Sequence, residues 1–568
     1  MKPARTIVGM KLTHDGALAV LQGNTLTGVI ECEKTANGPR HAPLNELDLV
    51  SGYLTQVDLD RHSVDDWVVD GWFTQGKREE SPAAEFHHEP ILKVRARGSV
   101  ADIPVAAYRE YDNVDPLEGR TFDAQLPGVA MRYRSHFHTS GHLASGYCTS
   151  PAARDGRTAL ALVWDGGVSP RAYVVDPQRR RAVAMGPILP LKGNVYALVV
   201  ARFAPFIPPA GADKEALGRH ELEVPGKAMA YAGLGAVDEE FYDFMTQCIA
   251  KVSAREPFAL LPRALATEIA EGAVQRAITS ADALCTWQQL VGDLLEGAIA
   301  GCVAENGLED VPVILTGGCA LNIGWNSRLR DSERLGQVWA PPFPNDSGSA
   351  IGTACAEMMR QQANWSVDWD VYSGPALVSE PIPDGWSKSA ADPRSVAKLL
   401  HDGAIVMILD GKAELGPRAL GHRSIVAAAT TEAARDRLNA IKQREWYRPV
   451  APLCLEDRAS EVFDPGGCDP YMLFQHRVRD AWRQQIPAVT HVDGTARLQT
   501  VRRDQDSMLF ELLENYAAIS GIPVLCNTSA NLPGRGFFPS LAAGLSWGGV
   551  DYVWSAGYLY QRTPALED

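Results

Sequence analysis

The first thirty residues alternate short apolar runs with polar breaks. Thr6–Met10 and Ala17–Leu21 read as strands, Leu26–Glu31 as a third, and Thr13–Gly16 (THDG) as the turn joining the first two. From Asp60 to Gln125 the sequence is polar and poorly periodic, and it predicts loop, including the adjacent pair His87 and His88. Neighbouring residues point apart on a helix or strand, so that pair does not predict a shared metal. Apolar runs resume at Leu160–Val163, ending in Trp164-Asp165-Gly166-Gly167, and at Val311–Leu315, ending in Gly317-Gly318. Ser349–Met359 has helical spacing. The stretch 361–389, with prolines at 375, 381 and 383, predicts a linker, after which Asp392-Pro393 is a helix-start signal. The run Ala404–Leu409 predicts a buried strand entering the glycine-rich stretch Gly411–Ser424, GKAELGPRALGHRS.

Length and composition narrow the class. A chain of 568 residues exceeds one core. With 46% apolar and 22% charged residues it reads as an ordinary globular protein. No apolar run approaches the ~18 residues of a membrane span, and the start, MKPARTIVGM, reads as a first strand rather than a signal peptide. Net charge −15 argues against nucleic acid as a general partner but leaves room for a local arginine pocket. Ten scattered cysteines without a C-x-x-C pair indicate neither a disulfide framework nor a zinc site, and fit a reducing cytoplasm.

Several patterns carry chemistry. His138 and His142 are four apart, which puts both imidazoles on one helix face. Asp165 at a strand end and Asp346 before a helix supply carboxylates, completing a mixed nitrogen–oxygen set suited to a divalent first-row ion. Gly317, Gly318 and Asn322 predict bare amides and a helix amino terminus for a phosphate or ribose. Glu221–Gly235 predicts a glycine-rich loop entering a small-residue helix, whose amino terminus could hold an anion. In GKAELGPRALGHRS, Arg418 and Arg423 offer planar donors for phosphate or carboxylate oxygens.

GPRALGHRS, followed in order by REWYRPVAP at Arg444–Pro452 and LCNTSAN at Leu525–Asn531, resembles the O-carbamoyltransferase family of antibiotic and natural-product biosynthesis. The resemblance spans nearly the whole chain. It implies an α/β protein: an actin-like (ribonuclease H-like) two-lobed transfer domain over 1–365, a linker over 366–389, and a YrdC-like domain over 390–568 that makes carbamoyl-adenylate. It implies carbamoyl phosphate, ATP with Mg and a small hydroxylated acceptor as partners, with Fe(II) held by His138, His142, Asp165 and Asp346. Arg418, Lys442, Arg448, Arg497 and Asn527 are then the anion and ATP ligands, with Gly317, Gly318 and Asn322 at the second phosphate turn. Two residues compete as base for the acceptor hydroxyl: Glu223, where a member of the family has an aspartate, and His14 in the first turn. His41 stands where the family often has a basic residue facing the substrate. After LCNTSAN this chain reads LPGRGFFPS where the family has an acidic, glycine-containing word. The alternatives are a carbamoyl or threonylcarbamoyl transferase with a macromolecular acceptor (tRNA or hydrogenase maturation), and a non-catalytic ATP sensor.

Overall fold

The structure, a computed structural model, describes residues 4–73, 90–126, 131–255 and 261–563; His87 and His88 lie outside them. The fold is mixed α/β with several sheets. Two compact units divide the chain, one made of Met1–Asp65, Arg95–Ser99 and Asp368–Asp568, the other of Asp66–Val94 and Val100–Val367. One boundary therefore falls at Val367/Asp368. The first 65 residues fall in the unit that holds Asp368–Asp568.

In the first unit, strands Thr6–Lys11, Ala17–Gln22 and Thr25–Glu31 form an antiparallel meander. All six residues of Thr6–Lys11 are buried, as in a strand covered on both faces. Backbone hydrogen bonds tie the meander to the later chain, from Leu26 N to Asp368 O at 2.9 Å and from Val29 N to Ser373 O at 2.8 Å. The later chain builds an eight-stranded mixed sheet in the order Trp386–Ala390, Tyr558–Arg562, Tyr552–Ser555, Val406–Leu409, Arg423–Ala428, Val524–Ser529, Ala451–Leu455, Gln499–Val501. Alternation along Val406–Leu409 feeds two cores. Met407 and Leu409 pack on one face with Ile425, Phe463 and Phe538, while Val406 and Ile408 pack on the other with Val396, Leu400, Leu509 and Tyr516. The second face is closed by helices Pro393–His401 and Ser507–Ser520, the former capped by Asp392, whose side chain accepts from Ser395 N. The predicted linker is not free chain. Ala376 bridges to Lys412, Val378 to Ser540, and 386–390 is an exposed edge strand paired antiparallel with Tyr558–Arg562.

In the second unit a five-stranded sheet runs Arg181–Pro187, Arg171–Asp176, Ala159–Val163, Val313–Thr316, Val338–Trp339. Helices His138–Cys148 and Ser349–Gln361 cross so closely that a Cβ on Gly352 would lie 1.9 Å from Gly141 O. The predicted loop over 60–125 is corrected: it holds strands Asp66–Asp70, Ile91–Ala96, Ser99–Pro104 and Arg120–Leu126, and Asp66–Asp70 pairs in parallel with Met131–His136. The predicted loop at 221–235 is also corrected. Lys214–Ala232 is one helix capped by Asp213, with Pro225 inside it, where flanking Ala, Leu, Glu and Lys outweigh the proline. Among the described residues no helix is long and apolar enough to cross a membrane.

Candidate functional site

The second unit brings together His138, His142, Asp165 and Asp346, all buried, with one ligand atom of each within 4.8 Å of every other. His138 Nε2 lies 3.2 Å from His142 Nε2, 3.4 Å from Asp346 Oδ1 and 3.8 Å from Asp165 Oδ2. His142 Nε2 lies 3.3 Å from Asp346 Oδ1. The helix His138–Cys148 sets the imidazoles one turn apart. Strand Ala159–Val163 pairs in parallel with Val313–Thr316, so Asp165 and Gly317-Gly318 emerge from the same end of the sheet. Behind the cluster, His138 Nδ1 donates to Asp70 Oδ2 at 2.7 Å, which leaves Nε2 as the lone-pair nitrogen facing the carboxylates. Tyr108 Oη donates to Asp165 Oδ2, and Gly318 N donates to Asp165 Oδ1 at 2.8 Å. Burial and Asp346 push the Asp165 carboxyl up, but His138 and His142 outweigh them and hold it at about 2.

The Gly317-Gly318 turn does not present bare amides. Gly317 N donates to Pro344 O, Gly318 N to Asp165, and Cys319 N to Trp164 O. A Cβ on Gly317, at φ +89°, would sit 2.4 Å from Trp164 O, so the glycine is required for close approach to the Asp165 strand. The Asn322 amide caps the following helix through Trp325 N and pairs with the Gln288 amide at 2.8 and 3.1 Å. The turn thus aims Asp165, where nucleotide contact was expected.

The first unit gathers cations instead. Burial, then Arg40, Arg448 and Arg444, depress the Arg418 guanidinium to about 10, with Asp469 the opposing carboxylate. Burial, then Arg448 and Arg497, depress Arg444 to about 9, and burial, then Arg418 and Arg448, push Arg497 well below its ordinary range. The Nε atoms of Arg418 and Arg497 are buried without a hydrogen-bond partner among the described residues. Asn527 Nδ2 donates to Gln499 Oε1 at 2.7 Å and Ala419 O at 3.1 Å, while its Oδ1 is buried without a donor among the described residues. Two expected ligands are otherwise engaged. Arg423 is 1% exposed and donates to the carbonyls of Asp410, His422, Gly411 and Pro375, so it braces the loop. Lys442 Nζ donates to Ser529 O and Asn531 Oδ1, both at 2.7 Å, and to Asn531 O.

Comparison with known proteins decides the family. Residues 6–355 match the family described as Carbamoyltransferase N-terminus, and residues 397–549 match Carbamoyltransferase C-terminus. The chain belongs to the carbamoyltransferase family. It is 40% identical over 574 residues to Nodulation protein U of Bradyrhizobium diazoefficiens, covering 98% of this chain and 97% of that protein. It is 30% identical over 534 residues to 3'-hydroxymethylcephem-O-carbamoyltransferase of Streptomyces clavuligerus, covering 94% of each. Among solved structures, full-length HypF in the phosphate- and nucleotide-bound form is 12% identical with TM-score 0.33, covering 64% of this chain and 57% of that one, a likeness too small to carry an argument. The protein is thus a carbamoyltransferase enzyme of the O-carbamoyl kind.

The two residues weighed as base in this carbamoyltransferase stand in different surroundings. Glu223 is an exposed helix residue whose Oε2 lies 4.0 Å from Lys227 Nζ, one turn on. His14 Nδ1 lies 3.0 Å from Asp15 Oδ2, and His41 Nδ1 lies 2.9 Å from Asp15 Oδ1, so one buried carboxylate orients two imidazoles. Burial would raise the Asp15 carboxyl, but His14 and His41 hold it well below the usual carboxylate range. Sequence reasoning missed Asp70, Tyr108, Arg444 and Arg40. The apolar run ending at Asp70 and the K-x-R spacing of Lys442 and Arg444 were the available signals.

Proposed function

We propose that this carbamoyltransferase takes carbamoyl phosphate and Mg-ATP to carbamoyl-adenylate, then transfers the carbamoyl group to a hydroxyl of a small natural-product acceptor. The 390–568 region is read as YrdC-like and adenylate-forming, the 66–367 unit as actin-like and carrying transfer. One relative's name specifies a hydroxymethylcephem as what is carbamoylated, which supports a small hydroxylated acceptor here.

In the first step water hydrolyses carbamoyl phosphate to carbamate and inorganic phosphate, a carbamate oxygen then bonds to the α-phosphorus of ATP, and the bond to pyrophosphate breaks. Arg418, Arg444, Arg448 and Arg497 neutralise the anions, and the orphaned Asn527 Oδ1 accepts from the carbamoyl NH2. Lys442 shapes this pocket by fixing Ser529 and Asn531. In the second step the acceptor oxygen bonds to the carbamoyl carbon, AMP departs, and the hydroxyl proton passes to a general base.

Two imidazole nitrogens and two carboxylate oxygens in a buried group, with Asp70 fixing the His138 tautomer, fit a divalent first-row ion, Fe(II) on the family resemblance. Bound there, the ion would supply Lewis acidity toward the leaving-group oxygen. The observation that carries the reading is the cluster of guanidiniums with so little carboxylate around it, whose charge a polyanion would neutralise. Pyrophosphate release tests it: release should require both carbamoyl phosphate and ATP, and Arg418→Ala should lower it at least about 10²-fold. Release without carbamoyl phosphate, or unchanged release in the folded variant, contradicts the assignment.

A further inference from the structure

Lys34 is a buried ammonium far in sequence from the arginine loop yet bound to it. Its Nζ lies 2.7 Å from Glu31 Oε1 and donates to Glu414 O at 2.6 Å and to Gly416 O at 2.7 Å, beneath the Phe537 ring at 5.0 Å. The same Glu31 oxygen accepts from Gly416 N at 3.0 Å. Residues 414–416 are thus gripped from one side by both members of a buried ion pair, immediately before Pro417 and Arg418. The rest of the loop is folded from within. Glu414 Oε1 accepts from the amides of Leu420, His422 and Arg423 at 2.7, 2.8 and 3.0 Å. An ion pair is an expensive way to fill a core, since apolar side chains of the same volume hold a fold at least as well. Here it has a task that they cannot do. Arg418 is repelled by Arg40, Arg444 and Arg448, and backbone acceptors held by a fixed cation resist the loop moving away from them.

We infer that Lys34, with Glu31 as its counter-ion, is a positioning residue that fixes the Arg418 loop in its anion-binding geometry. Cys32 N donates to Gly16 O at 2.8 Å, so the segment holding the Arg418 loop also holds the turn that carries His14 and Asp15. The inference rests on the reading of Arg418 as an anion ligand given above.

The test is a double-mutant cycle on carbamoyl-phosphate-dependent pyrophosphate release, using the full chain. Lys34→Met should lower kcat about 10²-fold, the scale of a roughly 1 Å misplacement. In the Arg418→Ala background the same substitution should change release less than twofold, because the group it positions is gone. Losses that multiply in the double variant, or normal release by Lys34→Met, overturn the inference. If Lys34→Met does not fold, Glu31→Gln decides by the same cycle, with an expected loss of about tenfold that also vanishes without Arg418. Should Arg418→Ala release pyrophosphate normally, the functional reading fails instead. Amide exchange at Leu420, His422 and Arg423 then still tests the clamp: faster exchange in Lys34→Met supports it, unchanged exchange sinks it.

Discussion

The two clusters are opposite electrostatic designs. In the second unit His138 and His142 face Asp165 and Asp346 across 3.3–3.9 Å, with Asp70 behind, so imidazole nitrogens and carboxylate oxygens share one site. In the first unit Arg40, Arg418, Arg444, Arg448 and Arg497 repel one another. That group is held by backbone devices instead: Glu414 on three amides, Arg423 and Lys442 on carbonyls, Lys34 on the loop. A complementary cluster can stand before its ligand arrives, whereas a like-charged one stores repulsion that an anion releases on binding.

The sharpest way to separate the two is to remove one ligand of the complementary set. His142→Ala should lose bound metal, read by elemental analysis of protein purified without chelator. Acceptor carbamoylation should fall more than about 10³-fold while carbamoyl-phosphate-dependent pyrophosphate release stays within about twofold. Loss of both half-reactions in soluble protein would mean that the clusters serve one site and not two.

Within the transfer step the contrast is between an imidazole held by a buried carboxylate and a helix glutamate whose neighbour is Lys227. His14→Gln should slow transfer at least about 10²-fold, and Glu223→Gln less than about twofold, with acceptor carbamoylation followed by mass spectrometry. The reverse result would restore Glu223 as the base and leave Asp15 a structural carboxylate.

What could be read in the sequence follows from the range over which each feature is determined. His138 and His142 were legible because helical spacing alone fixes their shared face, and strand Val406–Leu409 because its apolar run is local. Asp70 was not. It ends a five-residue strand inside a stretch of polar and turn residues, and only the partner strand Met131–His136 reveals that its side chain meets His138. The Glu223 loop was misread for a related reason: Gly226 and Pro225 are strong local breakers, yet the cap at Asp213 and a long run of helix formers override them. Arg423 shows the limit of motif reading, since an arginine beside Arg418 in one word is a brace and not a ligand. That residues 1–65 pack with 368–568 could not be seen at all, because nothing local encodes the bonds from Leu26 and Val29 to Asp368 and Ser373.

The stored repulsion has a measurable sign. Arg497→Met removes one half-buried guanidinium of the like-charged cluster and keeps much of the volume, so the ligand-free protein should gain about 1 kcal/mol even as pyrophosphate release collapses. Thermal unfolding in phosphate-free buffer should show a rise of about 2 °C. Added pyrophosphate should raise the midpoint of the unsubstituted protein more than that of the variant. A variant that melts lower, with the same pyrophosphate response, would show that the cluster is not strained.

The smallest effect belongs to Asp15, and its pH dependence follows from two shifts of opposite kind. The Asp15 carboxyl is held below its unfolded value, so its contribution is present above about 3.9 and lost as pH falls through the folded value. His41 is held above 6.5: burial lowers it, but the bond to Asp15 outweighs burial. Its contribution is complete below 6.5 and lost as pH rises through the folded value. The pair is therefore strongest from about pH 4 to 6.5. Asp15→Asn removes the charge that both imidazoles face, and at pH 6 it should cost about 1 kcal/mol. Melting curves at pH 6 and pH 9 should show the gap between the two proteins narrowing at the higher pH, as His41 loses its proton. A gap that is constant across that range would mean that His41 is neutral beside Asp15 throughout, with the carboxylate accepting an ordinary N–H bond.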